Sequence, residues 1–286
     1  MSRRGQMLLV VLWVMGCMSV AAGTLALRST HMLRLGQLPL DQLQRKAIAE
    51  AGLQQALRLL AQDTADSPSI DTLQEPWATG REASGAVLCE HIRVGQGAFS
   101  IGRWDQAVFV PGLIDEERKL NLNAAAPEQL AQLTASVAPG NERPEKIAQA
   151  IVDWRDEPEG SVCQGASPSC HNGPFDSVDE LRLVPGLTPE LFDALQPHVT
   201  VYGSGSVNVN TAPSAVLSAI GCDAASVLQE RATTPFTSPP PGCIGAAVTS
   251  TAFTVEVDTE LRGASAPLHL RAIIDRSGHV LSWSLR

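Results

Sequence analysis

The residues whose types and spacing suit chemistry are acidic. Asp153-Trp-Arg-Asp156-Glu157-Pro-Glu159 sets four carboxylates along seven positions, and Asp176 and Asp179 follow beyond two cysteines. Hard carboxylate oxygens gathered on an irregular loop suit Ca²⁺, which takes about six to eight oxygen ligands. The competing reading is a solvated acidic loop. Catalysis finds no such support. GxSxG, HExxH and GxxxxGK[ST] are all missing, and the six histidines stand singly at 31, 91, 171, 198, 269 and 279.

The cysteines suit an oxidising compartment. Cys163 and Cys170 flank the short polar loop Gln-Gly-Ala-Ser-Pro-Ser, and Cys222 and Cys243 bracket a proline-rich stretch from Thr234 to Gly242. Four cysteines allow three pairings; the sequential one, Cys163–Cys170 with Cys222–Cys243, closes two otherwise loose loops. The second closure should stabilise by about 3 kcal/mol on the chain-entropy estimate. Cys89, within a β-type run, reads as a buried free thiol, and no zinc-type CxxC spacing occurs.

One further motif has a ligand-binding reading. In Ser177-Val-Asp-Glu-Leu-Arg-Leu-Val-Pro-Gly-Leu-Thr-Pro-Glu-Leu-Phe192, Pro185-Gly186 turns the chain between two short helices and Thr188-Pro189-Glu190 caps the second. Such helix-hairpin-helix units often present backbone N–H groups to DNA phosphates. Residues 115–193, however, hold fifteen acids and six bases. A hairpin lined by Asp179, Glu180, Glu190 and Asp193 repels a polyanion, so no nucleic-acid partner is expected and the unit reads as structural. A membrane-anchored DNA-binding or uptake protein is the alternative from another functional class.

The elements that position these residues are legible from patterning. The chain has 286 residues, 44% hydrophobic, with a net charge of −9; that apolar fraction is ample for a packed core. Residues 1–28 carry Arg3, Arg4 and Arg28 and no acid, so the remainder is net −12. Residues 7–27 hold no charge at all; as a helix they span roughly 32 Å, about one bilayer core. Arg3 and Arg4 hold the N-terminal end in the cytoplasm. A secretory signal cut near Ala21-Ala22-Gly23, a lipoprotein attached at Cys17 and a retained anchor are the three readings of this segment.

Helical patterning continues through Leu53, Ala56, Leu57 and Leu60 at i, i+3, i+4, i+7, as a stem interrupted near Pro39. A loop follows from Asp63 to Glu75. Val87–Val94, Ala98–Trp104 and Ala107–Val110 read as strands. Phe253–Leu261, Leu268–Ile274 and Val280–Leu285 read as an antiparallel meander with one buried and one wet face. Between these β regions lies a helical block with an internal repeat: Leu120-Asn-Leu-Asn123-Ala-Ala-Ala-Pro127 is echoed by Val207-Asn-Val-Asn210-Thr-Ala-Pro213, each followed by a helix-like run.

Arg4-Gly5 directly ahead of the apolar run resembles a prepilin-type leader. Together with Lys46–Leu57, Leu120–Asn123, Ile151–Asp156, Ser177–Leu191, Val207–Pro213 and Val280–Ser284, it resembles the K-type minor pseudopilins of bacterial type II secretion. The pieces occur in family order across nearly the whole chain. The resemblance implies an α+β fold: a long N-terminal transmembrane helix packed on a small antiparallel sheet, with an inserted helical domain that contains the hairpin unit. It implies a leader at 1–5, a membrane helix at 6–28, a periplasmic stem at 29–62, a first part of the sheet at 63–119, the insert at 120–205, and a helix with the closing strands at 206–286.

It further implies cleavage by prepilin peptidase between Gly5 and Gln6, a single-pass inner-membrane protein with a periplasmic body, and no enzymatic activity. The expected partners are I- and J-type minor pseudopilins, with the H-type beneath them, in a tip complex that primes pseudopilus assembly for export of folded proteins. Bound Ca²⁺ is also associated with this type. The fifth mature position, glutamate in most pilins, is Val10 here. A subunit with no neighbour above it has no amine in the membrane to neutralise, so an uncharged residue there fits a filament tip.

Overall fold

A single helix, α1 (Arg3–Asp66), opens the fold and carries its first core stripe. In this computed structural model residues 3–140, 143–156, 172–262 and 267–286 are described, with backbone alone for 3–12, 21 and 23–39. The interruption expected near Pro39 is absent, for α1 runs through it. Proline removes one N–H at a local cost of about 3 kcal/mol, and the turns on either side retain their own hydrogen bonds. Ile48, Ala49, Ala56, Leu59 and Leu60 of α1 are buried, while Leu53 and Leu57 flank the stripe partly covered.

The next elements are α2 (Pro76–Thr79), β1 (Ile92–Val94), β2 (Gly97–Asp105), β3 (Val108–Pro111) and β4 (Ile114–Asp115). The closing strands are β9 (Ala252–Leu261), β10 (His269–Asp275) and β11 (Val280–Leu285). Together they make an antiparallel sheet in the order β1-β2-β9-β10-β11, with β3 beside β2 and β4 beside β9. The expected strand from Val87 shrinks to β1. His91 takes a positive φ of 49° and Cys89 sits in a bend, so the ladder starts only at Ile92.

One sheet face packs on α1 through Phe99, Ile101, Phe253, Val255, Val257, Leu270, Ala272 and Ile274. Trp77 of α2 meets Phe253 edge-on with ring centroids 5.0 Å apart, a favourable geometry for aromatic pairs. The helix comes close enough that a Cβ on Gly52 would lie 2.5 Å from Val257 Cγ1. The opposite face is not simply wet. Thr254 of β9 is buried as well, because the helical domain covers part of that side, whereas β11 is exposed almost throughout.

The chain between β4 and β9 forms the helical domain. Its elements are β5 (Leu120–Asn121), α3 (Pro127–Val137), α4 (Pro144–Arg155), α5 (Pro189–Leu195), β6 (Val199–Thr200), β7 (Val207–Asn208), α6 (Ser214–Ala219), α7 (Ala224–Arg231) and β8 (Ala246–Ala247). They enclose a second core, in which Leu122, Leu133, Phe192, Val209, Val216 and Leu217 are wholly buried. That core continues from Leu120 to Val227, with Cys243 and Val248 against it. The boundary expected at residue 205 therefore does not separate two packing units. The sequence echo at 207–213 buries its valines in the same interior.

Candidate functional site

The helical domain is an internal duplication, and side chains show it more clearly than sequence does. In the first unit β5 pairs in parallel with β6, and in the second β7 pairs in parallel with β8. Asn121 Oδ1 accepts from the Asn123 N–H at 2.8 Å, as Asn208 Oδ1 accepts from the Asn210 N–H at 3.0 Å. Asn123 then clasps the backbone of Phe175, and Asn210 that of Phe236. Arg155 Nη1 at the end of α4 donates to the carbonyls of Leu122 and Ala125, at 2.7 and 3.0 Å. Arg231 Nη1 at the end of α7 donates to those of Val209 and Ala212, both at 2.7 Å. The expected Asn-turn-Pro device is present in both units. The arginine and phenylalanine partners carried no signal in the sequence, because the segments leading to them differ in length between the units.

The duplicated domain meets the sheet at three consecutive acids, Asp115-Glu116-Glu117, each exposed by 2% or less. Burying three carboxylates is costly unless each is hydrogen-bonded. Asp115 Oδ2 accepts from Thr211 Oγ1 (2.5 Å), Ser250 Oγ (2.7 Å) and Asn208 Nδ2 (3.3 Å). Burial nevertheless lifts its pKa to about 6, ahead of the opposing hydrogen bonds. Glu116 accepts from Lys119 Nζ, Thr254 Oγ1 and Thr200 Oγ1, all at 2.6 Å. Burial pushes its carboxyl up, but Lys119 and the hydroxyls outweigh that and hold it below its ordinary value. Glu117 Oε1 accepts from Ser204 N at 2.7 Å and from Thr251 N and Oγ1. The acids tie the first unit (Thr200, Ser204), the second (Asn208, Thr211) and β9 (Thr254) to one turn.

A second polar knot anchors the end of α1. Arg276 Nη1 donates to Asp63 Oδ2 at 2.7 Å, Nη2 pairs with Asp71, and Nε donates to the Ser250 carbonyl at 2.9 Å. Burial lifts Asp71 to about 6 against the pull of Arg276, whose charge it shares with Asp63. Asp63, Asp71 and Glu75 are also the acidic group among the described residues whose oxygens converge closely enough for a cation. Arg276 already supplies the positive charge there, and Trp77 Nε1 and Thr72 N satisfy Glu75.

The acidic cluster proposed for Ca²⁺ is not assembled among the described residues. Asp153 takes a hydrogen bond from Gln149 Nε2 at 2.7 Å, and Asp156 is ion-paired with Arg155, whose hydrogen bond holds its carboxyl low. Asp176 is exposed, and Asp179 faces Arg182 at 3.8 Å. Glu157 and Glu159 lie outside the described residues, as do Cys163 and Cys170. Three carboxylates with separate partners and a fourth facing solvent do not make a shared shell. Cys222 and Cys243 are joined as expected. Cys89 is a buried free thiol whose pKa burial pushes up to about 12. The hairpin motif keeps its turn at Gly186 (φ +85°) and its Thr188 cap on the Leu191 N–H, but its first arm, Val178–Leu183, is a 3₁₀ helix. Pro185 follows too closely for a longer arm to form.

Residues 112–204, which hold the acidic turn and the first unit of the duplication, match the family model described as Type II secretion system (T2SS), protein K. Over that stretch the chain is similar to protein K of type II secretion systems. Type II secretion system protein K of Klebsiella pneumoniae is 29% identical over 267 residues, covering 82% of this chain and 77% of the relative. A putative type II secretion system protein K from Escherichia coli K12 is 26% identical over 233 residues, covering 73% of this chain and 65% of that one. Among solved structures, a chain of the GspK-GspI-GspJ complex of the enterotoxigenic Escherichia coli Type 2 Secretion System shares the fold. Its TM-score is 0.66 at 18% identity, with 87% of this chain and 98% of the other covered. The family is a secretion-system component. Among the described residues no helix is long and apolar enough to cross a membrane. The expected span at 7–27 falls largely on positions whose side chains lie outside the description, as do the side chains of the processing pair Gly5 and Gln6 and of Val10.

Proposed function

We propose that the chain is a minor pseudopilin at the tip of a type II secretion pseudopilus, where it joins I- and J-type subunits above the H-type and primes assembly for export of folded periplasmic proteins. The observation that carries this reading is the duplicated helical domain inserted between β4 and β9 of a sheet buttressed by α1. The same architecture occurs in a chain of the GspK-GspI-GspJ complex. A bulky insert burdens a subunit that must be stacked over, and it costs nothing at an end.

The stem before residue 40 serves as the anchor. Its described positions Trp13, Met15, Met18 and Val20 are apolar and exposed, a face that suits lipid or neighbouring helices. Prepilin peptidase cuts between Gly5 and Gln6, the helix stays in the inner membrane, and the body lies in the periplasm, where Cys222–Cys243 is stable. Val10 leaves this subunit without the intramembrane carboxylate that a stacked subunit needs.

Co-expression with the I- and J-type proteins of the same organism tests the reading. A ternary complex on size-exclusion chromatography is expected, together with loss of cargo export when the gene is deleted. Separate elution of all three, or unchanged export, overturns it. Mass spectrometry of membrane-extracted protein should find Gln6 at the N-terminus; cleavage near Gly23 defeats the processing claim.

A further inference from the structure

The edge strand β11 turns its apolar side chains toward the α1 face of the sheet, yet α1 does not cover them. Trp283 and Val280 pair with Ala272 and Ile274 of β10, which belong to the core beneath α1. Alternation puts Leu281 and Leu285 on that face as well, and Ser282, Ser284 and Arg286 on the other. The register shift at Ile273/Ile274 is what lets Val280 and Leu281 share a side. The helix packs over β2, β9 and β10 and stops short of the edge. Val280, Leu281 and Trp283 are therefore 44%, 48% and 55% exposed.

The flank of α1 beside this strand is patterned for a second helix. Leu43, Lys46, Glu50, Leu53 and Leu57 follow steps of three, four, three and four, the heptad spacing of helices that pack on one another. Lys46 stands 5.9 Å from the centre of the Trp283 ring and pairs with Glu50 at 3.8 Å. A Cβ on Gly278, in the turn before β11, would lie 3.9 Å from Leu57. Leu43 is exposed, and Leu53 and Leu57 are only partly covered. Flank and strand thus make a trough with an apolar floor and wall and one ion pair on its rim.

Dimensions select the occupant. Two strand spacings separate β9, beneath α1, from β11, roughly 9.6 Å, and packed helices run about 8–10 Å apart. A helix laid beside α1 therefore rests on β11. Lipid does not reach this place, because Leu53 stands 25 positions after Arg28 on an unbroken helix, roughly 37 Å beyond the apolar run. We propose that the trough between α1 and β11 receives an amphipathic helix of another subunit, its apolar residues seated on Leu53, Leu281 and Trp283 and its rim charges opposite in sign to Lys46 and Glu50. The source of that helix rests on the tip-complex reading; the trough itself does not.

The full chain, co-expressed with the I- and J-type proteins and extracted in detergent, tests this. A photo-crosslinking amino acid replaces Leu281, Ser282, Trp283 or Ser284 in turn. Positions 281 and 283 should crosslink to another subunit and 282 and 284 should not, and mass spectrometry should place the bond on a partner helix. Leu281→Ser combined with Trp283→Ala should cut recovery of the complex at least tenfold, while Ser282→Ala with Ser284→Ala leaves it unchanged. Both apolar side chains are half-exposed, so the first double variant should melt with the parent; if it melts lower, the crosslinks decide. Crosslinks equal from both faces, crosslinks to an extended segment or to lipid, or crosslinks between copies of this chain alone overturn the proposal. So does recovery indifferent to the change at 281 and 283, which leaves the tip-complex reading standing. Absence of any complex with the unaltered chain removes that reading, and this proposal with it.

Discussion

The side-chain amide of Asn123 closes a two-bond ring on the backbone of Phe175, donating to its carbonyl at 3.0 Å and accepting its N–H at 2.7 Å. Asn210 repeats the ring on Phe236 at 3.0 and 2.9 Å. An amide is the side chain that supplies both a donor and an acceptor in the geometry of a strand partner. Each ring pins a distant loop to the turn that starts a unit. Asn123→Ala and Asn210→Ala should each destabilise by about 2 kcal/mol, because each leaves a backbone N–H and a carbonyl without partners. Asn210→Asp should lose a similar amount, since it keeps only the acceptor. Urea unfolding followed by circular dichroism reads the difference, and a loss below the measurement error at both sites would refute the pairing.

The bond between Cys222 and Cys243 closes a segment with a sequence separation of 21 across the end of the second unit. Replacing both by serine should lower stability by about 3 kcal/mol, mostly by enlarging the unfolded ensemble. Thermal unfolding of the double variant against the oxidised parent checks this. The reduced parent should match the variant.

Asp115 gives stability a definite pH slope. Its ordinary pKa is 3.8 and burial raises it to about 6, so the native state binds the proton more tightly than the unfolded chain. That contribution is complete below about 4 and is lost as pH rises through 6. Glu116, held low, acts in the opposite sense, losing its contribution as pH falls through its depressed value. Chemical denaturation should therefore find greater stability at pH 5.5 than at 7.5, with Asp115→Asn reducing the difference and Asp71, also raised to about 6, supplying part of the rest. An unchanged slope in that variant would show that Asp115 does not titrate as described.

Gly52 sets the distance between α1 and β9. Any Cβ there collides with Val257, so Gly52→Leu should destabilise by about 1–3 kcal/mol through overpacking. Val257→Ala in the same chain should recover part of the loss, since it clears the space. Differential scanning fluorimetry of the two single variants and the double suffices, and additive losses would argue against a direct contact.

Much of this architecture is readable from residue patterns, and the unread parts have physical causes. Phe253, Val255 and Val257 alternate because one face of β9 meets a helix. Pro127 and Pro213 announce helix starts, and Cys222 and Cys243 announce their own bond. By contrast, Asp115-Glu116-Glu117 reads as a solvated turn, since its hydroxyl and amide partners lie at 200–211 and 250–254. The Asn123–Phe175 and Asn210–Phe236 rings are separated by 52 and 26 residues, a mismatch that conceals the duplication. The acids at 153–179 look like a metal cage in one dimension, but α4 and its neighbours turn Asp153, Asp156 and Asp179 toward separate partners and leave Asp176 exposed.

The points where the chain leaves the sheet for the helical domain and rejoins it are directly opposed, with Asp115 paired to Phe253 across β4 and β9. Such a seam behaves like the two ends of a graft. Strands outside it keep their register whatever fills the gap, so a plain hairpin and a whole duplicated cassette are interchangeable there without re-laying the scaffold. A lineage could acquire, enlarge or trade this headpiece while α1 and the sheet keep their own packing.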